Sequence, residues 1–168
     1  MLERGPASRR GVAIMAIAEG DAIPDIEVEL PDGSKANLTG YAGKPFVLYF
    51  YPKDDTSGCT REAQEFSAAL DQFTKAGAQV LGISKDSPAK HQKFIAKHDL
   101  TVPLATDAEG AVMEAFGVWV EKSMYGRKYM GVERSTFLFG ADGKLIRSWR
   151  KVRVPGHVET VLEAVKAL

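Results

Sequence analysis

Phe46-Val-Leu-Tyr-Phe-Tyr51 places six apolar or aromatic residues in a row, a run suited to a strand covered on both faces. Pro52 breaks the run, and from Thr60 the period changes. Ala63, Phe66, Leu70 and Phe73 share one helical stripe, Arg61, Glu65 and Asp71 face elsewhere, and Gly77 supplies the stop. A second buried-strand run, Gln79 to Ser84, is followed by Ser87-Pro88 and a helix-like stretch to about His98, and a further helix is predicted over Ala108 to Phe116. Strand, helix, strand, helix argues for an α/β fold with parallel crossovers. Antiparallel pieces are predicted near both ends. Ile26 to Leu30 and Lys35 to Leu38 flank the turn residues Pro31-Asp32-Gly33, while Ser135 to Phe139 and Lys144 to Val152 flank Ala141-Asp142-Gly143, ahead of a final helix from about Gly156. The expected architecture is a mixed central sheet flanked by helices, in a single domain over residues 21–168. Residues 1–20 read as an N-terminal extension, disordered or an artificial start, because Arg4, Arg9 and Arg10 precede an apolar run, Val12 to Ala18, too brief to span a bilayer.

Charge narrows the range of partners. Lys plus Arg and Asp plus Glu both number 22, so nothing electrostatic points to nucleic acid or to a membrane. Cys59 is the single cysteine, which rules out an intrachain disulfide and a four-cysteine metal site and fits a reducing compartment, with the cytoplasm as the expected location. His91 and His98 lie seven apart on one helix face, but without a cysteine or a carboxylate at ligand spacing they read as solvated rather than metal-binding. No metal and no cofactor are expected. Arg147, Arg150, Lys151 and Arg153 read as a charged sheet edge.

Cys59 belongs to the opening turn of the helix that follows the central strand. There the unpaired N–H groups and the helix dipole favour the thiolate, the reactive form of cysteine. A lone cysteine is ordinarily a small buried hydrophobe. Its neighbours Thr56, Ser57 and Gly58, however, form a polar turn with little apolar bulk, at the strand-to-loop break where open α/β sheets place their sites. Two alternatives stand beside a redox thiol: a cysteine hydrolase in which His157 activates Cys59, and a non-enzymatic binding module on the same scaffold.

The segment from Tyr49 to Ala63 resembles the active-site stretch of the Q-type peroxiredoxins, the bacterioferritin comigratory protein family. The spacing Pro-x-x-x-Thr-x-x-Cys is met by Pro52, Thr56 and Cys59, and a second block, Lys122 to Phe139, is similar as well, with Arg134 at the place of the active-site arginine. The resemblance covers roughly Ala22 to Leu168, and two separated motifs make it more specific than either alone. It implies a thioredoxin-like fold and a thiol-dependent peroxidase that reduces hydrogen peroxide and organic hydroperoxides, the Cys59 thiolate attacking a peroxide oxygen to give a sulfenic acid. It also implies that Pro52 shields the thiolate and shapes the loop.

Residue chemistry supports such roles. A thiol of pKa ~8.5 is about three per cent ionised at pH 7, so complete ionisation raises its rate by at most roughly thirtyfold. The rest must come from placing the peroxide and stabilising the departing oxygen. The Thr56 hydroxyl can donate and accept, and the Arg134 guanidinium offers a cationic fork to sulfur and peroxide together. The duller readings are a helix cap for Thr56, a carboxylate pair for Arg134 and a strand end for Pro52. Glu62, one turn from the thiol, would by itself disfavour the thiolate and is assigned to orienting Arg134, with an ordinary helix-surface carboxylate as the alternative.

The chain departs from the family pattern at the second cysteine. Where many members carry it five residues after the first, this chain has Gln64, and where others carry it in the next helix it reads Lys93-Phe-Ile-Ala-Lys97. A one-cysteine mechanism is therefore expected, recycled by an external thiol such as thioredoxin, glutaredoxin or glutathione, in a monomeric protein. Ser57 stands where the family usually has proline, which bears on loop rigidity.

Overall fold

The computed structural model describes residues 16–168. In chain order the elements are β1 (Glu27–Glu29), β2 (Lys35–Asn37), a 3-10 turn (Leu38–Tyr41), β3 (Phe46–Phe50), α1 (Ser57–Lys75), β4 (Gln79–Ser84), α2 (Pro88–His98), β5 (Leu104–Thr106), α3 (Ala111–Phe116), β6 (Trp119–Met124), β7 (Arg127–Val132), β8 (Ser135–Phe139), β9 (Leu145–Trp149) and α4 (His157–Lys166). Seven strands form the main sheet in the order β2-β1-β5-β4-β3-β8-β9, and β6 pairs with β7 as a separate hairpin. β3, β4 and β5 run parallel, whereas β1, β8 and β9 are antiparallel to their neighbours.

The apolar run at Phe46 explains itself in this sheet. Successive side chains of a strand point to opposite faces. Val47, Tyr49 and Tyr51 enter a core shared with α1, α2 and α4, while Phe46, Leu48 and Phe50 enter a second core shared with α3 and the 3-10 turn. Both faces of β3 are covered, so no polar position is tolerated in it. Tyr49 also dictates its partner across the ladder, Gly82 on β4. The Tyr49 ring lies over that glycine so closely that a Cβ there would sit 2.5 Å from Tyr49 Cζ. Gly82→Ala is therefore expected to destabilise the fold by about 1–3 kcal/mol through overpacking. Chemical denaturation measures this, and an unchanged midpoint would mean that the ring has room to move.

Several boundaries differ from the sequence expectation. α1 opens at Ser57 rather than Thr60, with Thr56 as its N-cap. α3 starts at Ala111 instead of Ala108, because Gly110 is left-handed (φ 82°) and the Asp107 carboxylate accepts the N–H groups of Val112 and Met113 at 3.2 and 2.9 Å. β5 and the β6–β7 hairpin had no sequence counterpart, and β9 is shorter than the Lys144 to Val152 run. β9 does form an edge of the sheet. There Arg147 lies over the Trp149 ring at 4.5 Å, and Arg150 donates to the carbonyl oxygens of Phe116 and Gly117 at 2.8 and 3.3 Å. Of the expected N-terminal extension, residues 1–15 lie outside the described residues. The following stretch meets the domain, with Ile17 N–H donating to Ala115 O at 3.2 Å and Gly20 N–H to Leu145 O at 2.8 Å.

Candidate active site

β3 and β8 set the site between them. Phe50, the last residue of β3, pairs with Ser135, the first of β8, so the loop leaving β3 and the residue preceding β8 meet at one end of the sheet. That residue is Arg134. Its carbonyl accepts Val152 N–H at 3.0 Å, and on its N-terminal side Glu133 N–H donates to Val118 O at 2.7 Å. The backbone beneath the guanidinium is thus tied on both sides.

Cys59 is the third residue of α1, and the first intrahelical bond of that helix, Thr60 N–H to Thr56 O, measures 2.8 Å. The N–H groups of Ser57, Gly58 and Cys59 precede that bond, and the positive end of the helix dipole falls on the thiol. Arg134 Nη2 donates to Cys59 Sγ at 3.4 Å, and Nη1 donates to Glu62 Oε1 at 2.6 Å. One guanidinium therefore grips both a sulfur and a carboxylate. Gly58 makes room for it, since a Cβ there would lie 3.2 Å from Arg134 Nη2. Cys59 and Glu62, three apart, sit on one face of the first turns, so a single arginine reaches both.

Burial sharpens the electrostatics. Cys59 is 2 % exposed and belongs to the core cluster of Tyr49, Ala63 and Phe66, so the polar turn before it does not leave the thiol in solvent. Glu62 is fully buried, not a helix-surface carboxylate. Its Oε2 has no hydrogen-bond partner. Burial therefore pushes its pKa from 4.5 up to about 7, with Arg134 opposing the shift. Arg134 is held above its usual range by Glu62 and Cys59, which outweigh its own desolvation, so it is cationic throughout.

A carboxyl group whose folded pKa is raised stabilises the fold while protonated in both states and loses that contribution as pH rises through the folded value. Glu62 thus makes stability fall between about pH 4.5 and 7 and stay level above. Glu62→Gln is expected to flatten that slope, as denaturation midpoints measured across this range would reveal. A slope identical to wild type would refute the assignment.

The remaining expected residues lie around this centre. Thr56 makes no side-chain cap, and its Oγ1 donates instead to Lys53 O at 2.9 Å. It makes no hydrogen bond to Cys59. Pro52 stands exposed in the loop one residue past Tyr51. His157 does not meet the thiol: its Nε2 bonds Thr136 Oγ1 at 2.8 Å, and burial, with Arg134 adding to it, lowers its pKa to about 4.

Sequence reasoning missed the groups that hold the loop. His91 is fully buried rather than solvated, with Nδ1 2.7 Å from Asp54 Oδ2, and His98 Nε2 lies 2.7 Å from Asp55 Oδ1. Two histidines seven apart facing two successive aspartates were the available signal. The partners lie 37 and 43 residues away, beyond what local spacing reveals.

A helix-capped thiol beneath an arginine, at the end of a mixed sheet layered with helices on both faces, defines a thioredoxin-like fold with a peroxiredoxin type of site. The AhpC/TSA family model matches residues 19–148. Peroxiredoxin Bcp of Xanthomonas campestris pv. campestris is 47% identical over 143 residues, covering 85% of this chain and 89% of that protein. Peroxiredoxin Bcp of Bacillus subtilis is 46% identical over 152 residues, covering 90% and 97%. Among solved structures, the Xanthomonas campestris bacterioferritin comigratory protein, studied for alkyl peroxide reduction, superposes with TM-score 0.83 at 44% identity, covering 90% of this chain and 96% of that one. A Xylella fastidiosa PrxQ variant gives TM-score 0.86 at 40% identity, covering 91% and 98%. The chain belongs to the AhpC/TSA family of peroxiredoxins, within its Q-type, bacterioferritin comigratory protein branch.

Proposed function

We propose that this peroxiredoxin reduces hydrogen peroxide and organic hydroperoxides by a one-cysteine cycle centred on Cys59. The observation that carries the proposal is the double grip of Arg134 on Cys59 Sγ and Glu62 Oε1. The thiolate donates an electron pair to one peroxide oxygen, an S–O bond forms and the O–O bond breaks. The other oxygen departs with that bond's electrons and takes a proton, leaving as water or an alcohol. Cys59 becomes a sulfenic acid.

Arg134 stabilises negative charge on sulfur at the start and on the departing oxygen as the bond breaks. Glu62 orients the guanidinium. Thr56 has committed its proton to Lys53 O, which leaves the lone pairs of its hydroxyl to accept the O–H of a hydroperoxide and hold it in line. Pro52 walls the loop beside the thiolate. A cysteine only 2 % exposed suits a small reagent, and Cys59 does not line the groove between α1 and α4 formed by Glu65, Ala69 and Leu162.

Recycling requires a thiol from outside, because the chain has one cysteine. A first thiol, from thioredoxin, glutaredoxin or glutathione, condenses with the sulfenic acid, releasing water and forming a mixed disulfide. A second thiol displaces Cys59 and restores it. Such a cycle belongs in a reducing compartment, so the cytoplasm is the proposed location, with the protein acting as a monomer.

Intact mass after one equivalent of peroxide tests the scheme. The expected product is a single chain heavier by one oxygen, returning to its starting mass with thiol reductant. A covalent dimer linked through Cys59 would contradict the one-cysteine cycle.

A further inference from the structure

The loop joining β3 to α1 is held by a buried set of groups for which the proposed cycle has no chemical step. Asp54, 8 % exposed, accepts the Tyr51 hydroxyl at 2.6 Å through Oδ1, and its Oδ2 faces His91 Nδ1 at 2.7 Å. His91 Nε2 lies 3.0 Å from the carbonyl oxygen of Ala105, at the centre of β5. A carbonyl only accepts, so Nε2 carries a hydrogen. The Asp54 carboxylate and the Ala105 carbonyl thus hold the imidazole ring from its two nitrogens.

The grip extends along the loop. Asp54 N–H donates to Asp86 Oδ2 at 2.8 Å, and that oxygen also accepts Ser84 Oγ at 2.7 Å. The next residue, Asp55, is left-handed at φ 63°, an uncommon conformation for a residue with a side chain. Its carboxylate is tied to Lys97 and His98, both at 2.7 Å. Side chains of one helix, α2, thus hold two successive loop residues, and Thr56 follows directly.

We propose that Asp54 and His91 are positioning residues for the peroxide reaction: their buried pair fixes the backbone of residues 51–56, and so aligns Thr56 and the first turn of α1 with the Cys59–Arg134 contact. The inference rests on Cys59 being the nucleophile proposed above. It assigns neither residue any contact with the peroxide. The pair acts only on where the reacting groups stand, and a displacement of about 1 Å can cost on the order of a hundredfold in rate.

The test separates alignment from thiol ionisation. His91→Phe keeps a ring in place but removes its hydrogen bonds to Asp54 and Ala105. Asp54→Asn can rebuild the set, its amide N–H donating to Nδ1 and its amide oxygen accepting the Tyr51 hydroxyl. His91→Phe is expected to slow the reaction with hydrogen peroxide by roughly ten- to a hundredfold. Its alkylation by iodoacetamide, which needs the thiolate but no placement of a peroxide, should stay near wild type. Asp54→Asn should recover most of the peroxide rate. If His91→Phe does not fold, Asp54→Ala gives the same comparison, since it strands no buried charge. An unchanged peroxide rate in the disrupting variant, or equal losses toward both reagents, overturns the proposal. Failure of the wild-type thiol to react with peroxide would instead strike the role of Cys59, so the two ideas fail separately.

Discussion

Cys59→Ser is expected to abolish peroxide consumption while leaving the fold intact. Serine is close in size to cysteine, and the side chain sits in a core cluster whose other members are unchanged, so little packing is lost. The chemistry, in contrast, disappears outright: an alcohol does not ionise near neutral pH and does not give a sulfenic acid. With no other cysteine in the chain, nothing can substitute for the lost thiol. The pair of measurements is a peroxide-consumption assay with saturating thiol reductant and a thermal unfolding curve. Residual activity in a folded variant would move the reaction away from this sulfur.

Replacing Arg134 is the second large effect. Arg134→Met preserves length and apolar stem but removes every donor, and the peroxide step is expected to slow by about a hundred- to a thousandfold, the scale seen when a preorganised donor to a developing charge is lost. Stability should change far less than that loss suggests. Breaking a buried ion pair usually strands a charge at considerable cost. Glu62, however, is already balanced near neutrality by burial, with a pKa of about 7, and can answer the loss by taking up a proton. Stopped-flow peroxide kinetics alongside chemical denaturation checks both halves. A variant with a near wild-type peroxide rate would leave Arg134 with a structural role only.

Much of this arrangement is legible in the chain, for reasons that differ by element. β3 is visible because coverage on both faces leaves no polar residue in it, and α2 because Ser87 caps it, accepting Lys90 N–H at 3.2 Å, with Pro88 at its start. The placement of Cys59 in an opening helical turn follows from the break at Pro52 and the change of period from Thr60. The β6–β7 hairpin is hidden because it lies outside the main sheet and exposes Met124, Tyr125, Tyr129 and Met130, so no burial pattern marks its strands. β5 is only three residues long. Glu62 and His91 are harder still. His91 reads as a solvated helix residue, and for Glu62 the orienting role toward Arg134 stands beside an ordinary helix-surface one; both are fully buried by partners that only the tertiary fold supplies, Arg134 lying 72 residues from Glu62. Spacing finds residues that share a local element; a buried polar pair assembled across the sheet leaves no local trace.

The central claim is that Cys59 is aimed at an O–O bond whose rupture Arg134 assists, and the direct test is the stopped-flow rate of its oxidation by hydrogen peroxide as a function of pH, set against free cysteine. The account predicts a rate above that of free cysteine by much more than the roughly thirtyfold that ionisation alone can supply at pH 7. A rate that matches free cysteine once both are corrected to the thiolate would contradict it.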